Sequence, residues 1–148
     1  MIRPLLTLAC VVVWTSSYSG PGMSVAAQST EERSHRVVIH LNSGDEKVQR
    51  AALNNIRNLH QELGPQNLTV ELVVHGAALP LLIKKVTPLA EELADLQRTS
   101  GVRYTACSNT MKTLKVTRED LIDEVGDTVP AMVRLMQRQE QGWIYIKP

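Results

Sequence analysis

The chain has 148 residues, enough for one domain and short for two. Hydrophobic residues make up 43% and charged residues 21%, an ordinary globular balance, and a formal net charge of +1 excludes the clustered basic surface that nucleic-acid phosphates require. Aromatic residues are 3% with no Phe, so the core must come from Leu, Val, Ile, Ala and Met, and no aromatic platform exists for stacking bases.

The first stretch does not belong to the fold. Arg3 is a short positive region, and Leu5 to Trp14 is an apolar run broken by Thr7. Ser, Gly and Pro follow, and Val25-Ala26-Ala27 is a small-residue cleavage signal ahead of Gln28. The run is shorter than the roughly 20 residues a stop-transfer helix needs. Residues 1–27 therefore read as a signal peptide cut after Ala27, in preference to an uncut anchor. Thr7-Leu8-Ala9-Cys10 is a poor lipoprotein box, because Thr7 stands where Leu is usual. The expectation is a periplasmic or secreted protein with no stable membrane anchor after cleavage.

Cleavage removes Cys10 and leaves Cys107 as the one thiol. An odd cysteine in an exported protein is an intermolecular bridge, a metal ligand, a reactive thiol or a buried inert residue. Arg3 leaves as well, so the 15 remaining basic residues balance the 15 acidic ones.

Residues 28–35 form a polar lead-in, and the domain spans 36–148. Arg36 to Leu41 is a β-branched run, apolar on both faces apart from His40, as in a strand covered on both sides. Ser43 with Glu46 has the spacing of a capping box for a helix to about Leu63. Val48, Ala52, Ile56, Leu59 and Leu63 form its apolar stripe, and Gly64-Pro65 stops it. Leu68 to His75 is a second strand. Ala77 to Lys85 is a short apolar segment interrupted by Pro80, and Thr87-Pro88 predicts a helix start. Val102 to Ala106 is a third strand, and Cys107 begins the next helix. Thr117 with Asp120 predicts a further helix entry. Residues 124–129 form a short strand, Pro130 opens a last helix to about Gln141, and Gly142 to Lys147 is a closing strand. Alternating strands and helices predict an α/β fold: a flavodoxin-like parallel five-stranded sheet in the order 2-1-3-4-5, with helices on both faces.

Ligand sites in such sheets form at the carboxyl ends of the strands. His40, His75 and Cys107 all fall there. The order 2-1-3 would make their strands neighbours, roughly 4.8 Å apart. A cysteine at a helix N-terminus faces free N–H groups, which favour thiolate over thiol. Ser108, Asn109 and Thr110 add polar donors. A buried free cysteine is also a common small hydrophobe, and a strand-end histidine often only bonds a neighbouring loop. His60, at the edge of its helix stripe, reads as a surface residue. Lys84 and Lys85 read as a solvated helix end that can also attract an anionic substrate. Trp143 and Tyr145 read as core or subunit-contact residues. No Gly-rich phosphate loop, C-x-x-C, H-E-x-x-H or G-x-S-x-G motif is present, and no cofactor is called for.

The stretches Val38-Ile-His-Leu-Asn-Ser-Gly-Asp45, Ala52-Leu-Asn-Asn-Ile-Arg-Asn58, Val74-His-Gly76, Ala106-Cys-Ser-Asn-Thr-Met111 and Gln141-Gly-Trp-Ile-Tyr-Ile-Lys-Pro148 resemble the DsrE/DsrF-like family of small sulfur-relay proteins. The resemblance implies a flavodoxin-like βα sandwich assembled into homo-trimers or hexamers. It also implies a cysteine that carries sulfur as a persulfide between proteins, and Cys107 falls where the family places it. The local sequence Cys107-Ser-Asn-Thr and the expected export both depart from the best-known relay subunits.

Three readings follow. In the first, Cys107 takes sulfane sulfur from a donor protein or polysulfide and passes it to an acceptor thiol, with His40 or His75 managing protons. In the second, His40, His75 and Cys107 bind a soft or borderline metal. In the third, the protein is a non-catalytic oligomeric scaffold with Cys107 merely packed.

Overall fold

The computed structural model describes residues 34–148, so the expected signal peptide and most of the lead-in lie outside the described residues. The elements are β1 (His35–Leu41), α1 (Glu46–Leu63), β2 (Leu68–Val74), a 3-10 segment (Gly76–Leu82), α2 (Ala90–Ser100), β3 (Arg103–Cys107), α3 (Ser108–Leu114), β4 (Val125–Val129), α4 (Ala131–Glu140) and β5 (Ile144–Ile146). All strands pair in parallel, giving the expected α/β class and flavodoxin-like arrangement.

Within that class the strand order is β4-β3-β2-β1-β5, not 2-1-3-4-5. The chain steps from β1 to β4 in one direction, and then α4 carries it back over the sheet to the far side of β1. Right-handed crossovers put helices of one direction on one face and those of the other direction on the opposite face. The first crossovers accordingly share one face, and α4 lies on the other. The reversal of direction falls between β1 and β5, and β2 is the central strand. His35 pairs with Leu68 and Leu41 with Val74 across β1 and β2, while Val37 pairs with Ile144 and Ile39 with Ile146 across β1 and β5.

Alternation along the strands then divides the core. Ile39, Leu41, Val70, Leu72, Val74 and Tyr104 point to the many-helix face and are buried there with Leu53, Ile56, Leu93 and Leu96. Val38, Val73 and Cys107 point to the other face, where Ala131 and Leu135 of α4 and Trp143 cover them.

Several local expectations shift. Asp45, not Ser43, caps α1: its Oδ1 accepts from the Lys47 N–H at 2.8 Å, and Ser43 Oγ accepts from the Asp45 N–H at 3.2 Å. Thr87 Oγ1 accepts from the Leu89 N–H at 3.1 Å, but α2 starts only at Ala90. Thr117 opens no helix. Asp120 Oδ2 instead accepts from its N–H at 2.8 Å and its hydroxyl at 2.9 Å, closing a turn by local side-chain bonding. His60 is buried, with neither ring nitrogen hydrogen-bonded among the described residues, and burial holds its pKa below the ordinary imidazole value. No described helix is long and apolar enough to cross a membrane.

Candidate functional site

Cys107 is the last residue of β3 and the cap of α3. It is 6% exposed. Burial pushes the thiol pKa up, but four donors outweigh it and hold the pKa below the ordinary thiol value: the Thr110 hydroxyl first, then the N–H groups of Ala131, Thr110 and Asn109. The Ala131 N–H meets Sγ at 3.4 Å. Ala131 is the first residue of α4, so its N–H has no partner within the helix and is free for the sulfur. Thr110 is oriented from outside α3. Its Oγ1 accepts from the Gly76 N–H at 3.0 Å, which leaves its proton for Cys107. Gly76 has φ +57, the left-handed turn that lets the chain leave His75 and present this N–H. Ser108 and Asn109 complete the first turn of α3, and Asn109 contributes through its backbone N–H.

His40 and His75 come together directly. Their Nε2 atoms lie 2.5 Å apart with the rings stacked at 4.8 Å between centroids. Tyr145 of β5 continues the chain, its hydroxyl 2.6 Å from His40 Nδ1. Burial is the first cause that lowers the pKa of both histidines; His75 and Lys147 lower His40 further, and Lys147 lowers His75 further. One proton between two neutral imidazoles makes the short contact a hydrogen bond, and the chain Tyr145–His40–His75 can move that proton along itself. A cleft of about 450 Å³ opens beside it, with His40 and Tyr145 on one wall and Met132, Leu135, Met136 and Gln139 of α4 on the other.

The expected approach of both histidines to Cys107 changes with the strand order. β2 lies between β1 and β3, so His75 stands between the other two, and among the described residues neither imidazole hydrogen-bonds Cys107. The link is indirect, through His75-Gly76 and Thr110. The expected metal set is not assembled either. No described group of three or more His, Cys, Asp or Glu is disposed to hold an ion. The two Nε2 atoms, 2.5 Å apart, are also closer than the roughly 3.3 Å that separates two nitrogens bonded tetrahedrally to one ion. Lys84 pairs with Asp123 at 2.8 Å, and both Lys84 and Lys85 lower the pKa of Asp120. Neither lysine is among the groups that act on the thiol.

Two contributors escaped the sequence. Tyr145 was expected in the core or at a subunit contact, and its partnership with His40 follows only from β5 lying beside β1. Glu71, in the middle of β2, is 1% exposed on the α4 face. Its carboxylate accepts from the Thr105 hydroxyl at 2.6 Å and from Arg138 Nε at 2.5 Å. Arg134 Nε lies 3.3 Å away without hydrogen-bond geometry. Arg138 also stacks over Trp143 at 4.4 Å, and Arg134 reaches Asp127 of β4 at 2.5 Å. The available signal was a lone carboxylate in a strand that is apolar apart from Thr69, together with arginines four residues apart on the last helix.

These features define a class: a small parallel α/β domain with a donor-ringed thiol at a strand end and a linked imidazole pair nearby. The DsrE/DsrF-like family model matches residues 35–148, and the chain belongs to that family, whose members include sulfur-relay proteins. Among solved structures, the protein of unknown function MTH1491 from Methanobacterium thermoautotrophicum is 28% identical with a TM-score of 0.72, over 77% of this chain and 99% of that one. The conserved protein of unknown function BT1422 from Bacteroides thetaiotaomicron shares the fold, with 17% identity and a TM-score of 0.59 over 76% of this chain and 94% of that one. No curated protein matches the chain.

Proposed function

We propose that the protein is a sulfur carrier that holds sulfane sulfur as a persulfide on Cys107. The observation that carries this is the ring of donors on Sγ, which favours thiolate although the residue is buried. The Cys107 thiolate attacks the outer sulfur of a donor persulfide or polysulfide. An Sγ–S bond forms, the donor's S–S bond breaks, and the donor leaves as a thiolate. Transfer reverses the step: an acceptor thiolate takes the outer sulfur and Cys107 departs as thiolate. No external oxidant is needed, and the leaving thiolates match the incoming ones. The same donors stabilise the persulfide anion. The transfer itself needs no proton; the Tyr145–His40–His75 chain is the nearby acid–base group that can take the proton of an incoming thiol or return one to a departing thiolate.

This reading includes export after cleavage at Ala27, supported by the sequence of residues 1–27, and assembly as a homo-trimer or hexamer. Support for assembly comes from exposed apolar side chains on α4 and β5, with Met132 56%, Met136 53% and Ile144 51% exposed. One experiment tests all three points. Full-length precursor is expressed with its leader, and the recovered protein is weighed intact and natively before and after polysulfide. We expect a chain starting at Gln28, a trimeric or hexameric native mass, and one reductant-removable sulfur that Cys107→Ser lacks. No sulfur gain on the wild type overturns the carrier.

The scaffold reading is favoured by the packing of Cys107 among Val38, Val73, Ala131, Leu135 and Trp143. Alkylation that is slow in the folded protein and fast after unfolding would establish it.

A further inference from the structure

Glu71 has no part in the sulfur chemistry, yet among the described residues it is the most deeply buried carboxylate on the α4 face. It sits on the central strand, directly beneath the one helix that covers that side. Arg134 and Arg138 are one helical turn apart, so both reach the sheet from the same face of α4. One carboxylate therefore grips the helix at two points, with Thr105 of β3 holding the carboxylate from below. Arg134 also ties α4 to Asp127 of β4, and Arg138 ties it to Trp143 just before β5. The charged groups on this face are thus Glu71, its cross-strand partner Arg103, Arg36 of β1 and Asp127 of β4, with Arg134 and Arg138 from α4. Breaking a buried pair by removing one partner leaves the other charge uncompensated, so the grip is stiff. At the other end of the same short helix, the Ala131 N–H points at Cys107 Sγ at 3.4 Å. Because Ala131 is the first residue of α4, any shift or tilt of the helix changes the length and angle of this bond directly.

We propose that Glu71 is a positioning residue for Cys107: by clamping Arg134 and Arg138 it fixes α4 along the sheet, and so sets the distance from the Ala131 N–H to the sulfur. The role rests on Cys107 being the working thiol, but its test reads the thiol itself and needs no sulfur transfer. A failed clamp and a failed carrier are therefore distinguished.

The sign of the effect separates positioning from simple charge. Glu71→Gln removes a negative charge, and through the electrostatic field alone this would lower the thiol pKa. Displacement of α4 weakens the Ala131 donor and raises it. The measurement is the pH midpoint of alkylation by iodoacetamide in the folded full-length protein, read by mass on the peptide that carries Cys107, with Trp143 fluorescence in a Trp14→Phe background reporting on the helix. We expect Glu71→Gln to raise the midpoint by about one pH unit, roughly a tenfold loss of thiolate below it, with a shifted Trp143 emission. Glu71→Asp keeps the charge and shortens the reach, and serves if the Gln variant does not fold; it should raise the midpoint by less. An unchanged or lowered midpoint in either folded variant overturns the proposal.

Discussion

On one face of the sheet, four helical segments bury a continuous aliphatic layer. On the other, α4 is the one helix among the described residues, and it covers a thiol, an imidazole and a carboxylate held by two arginines. The difference lies in what each face asks of its side chains. Aliphatic packing is non-directional and adds up with area. The α4 face works through directed bonds, where a few tenths of an ångström matter. Stability is thus carried mainly by one face and chemistry by the other, although the same strands build both.

That division can be broken first on the aliphatic side. Leu72 is fully buried there. Leu72→Ala should cost about 2–5 kcal/mol, read as a lower urea midpoint, while the alkylation midpoint of Cys107 in the folded protein stays put. A large change in thiol pKa would show that the faces are not separable. On the α4 side, Thr110→Val keeps the shape and removes the hydroxyl that serves both Gly76 and Cys107. The alkylation midpoint should rise by about one unit and stability should fall by about 1 kcal/mol. An unshifted midpoint would remove Thr110 from the thiol's support.

The smallest expected effect crosses both faces. His40, His60 and His75 all have folded pKa values below that of an unfolded imidazole, with burial the first cause in each. The unfolded chain then binds more protons as the pH drops. The stability from these neutral histidines is present above the unfolded value of about 6.5 and is lost as pH falls through the depressed folded values. Urea midpoints should decline from pH 7.5 towards pH 5. A flat profile over that range would contradict the burial of these rings.

Much of this was visible in the sequence because it is local. Apolar alternation marked the strands, Gly64 and Gly101 marked helix ends, and Cys107 before Ser108-Asn109-Thr110 announced a thiol facing free N–H groups. Strand order was not visible. Parallel strands of similar aliphatic content carry no label for their neighbours, so whether β2 lies beside β3 is decided only when the crossovers pack. β1 and β2 are neighbours in either order, so the meeting of the two histidines was within reach; the observed order puts His75, not His40, between the other imidazole and the thiol. Glu71 was hidden for a related reason. Its partners lie 63 and 67 positions further along the chain, and a carboxylate in a strand reads as solvent-facing until a helix is seen to bring its counter-charges.

The place of β5 has a consequence for how the molecule comes into being. His40 and Tyr145 are 105 positions apart, as are Arg36 and Gln141, whose side-chain-to-carbonyl bond lies close by. Contacts of such separation are slow to form, because a long loop must close before they contribute. During synthesis β1 to β4 can associate while the outer side of β1 is still unpaired, an open edge of the kind that recruits stray strands. Residues 144–146 cap that edge and bring the phenol to the imidazole in the same event. Completion of the proton chain and protection from aggregation therefore share one late step of folding.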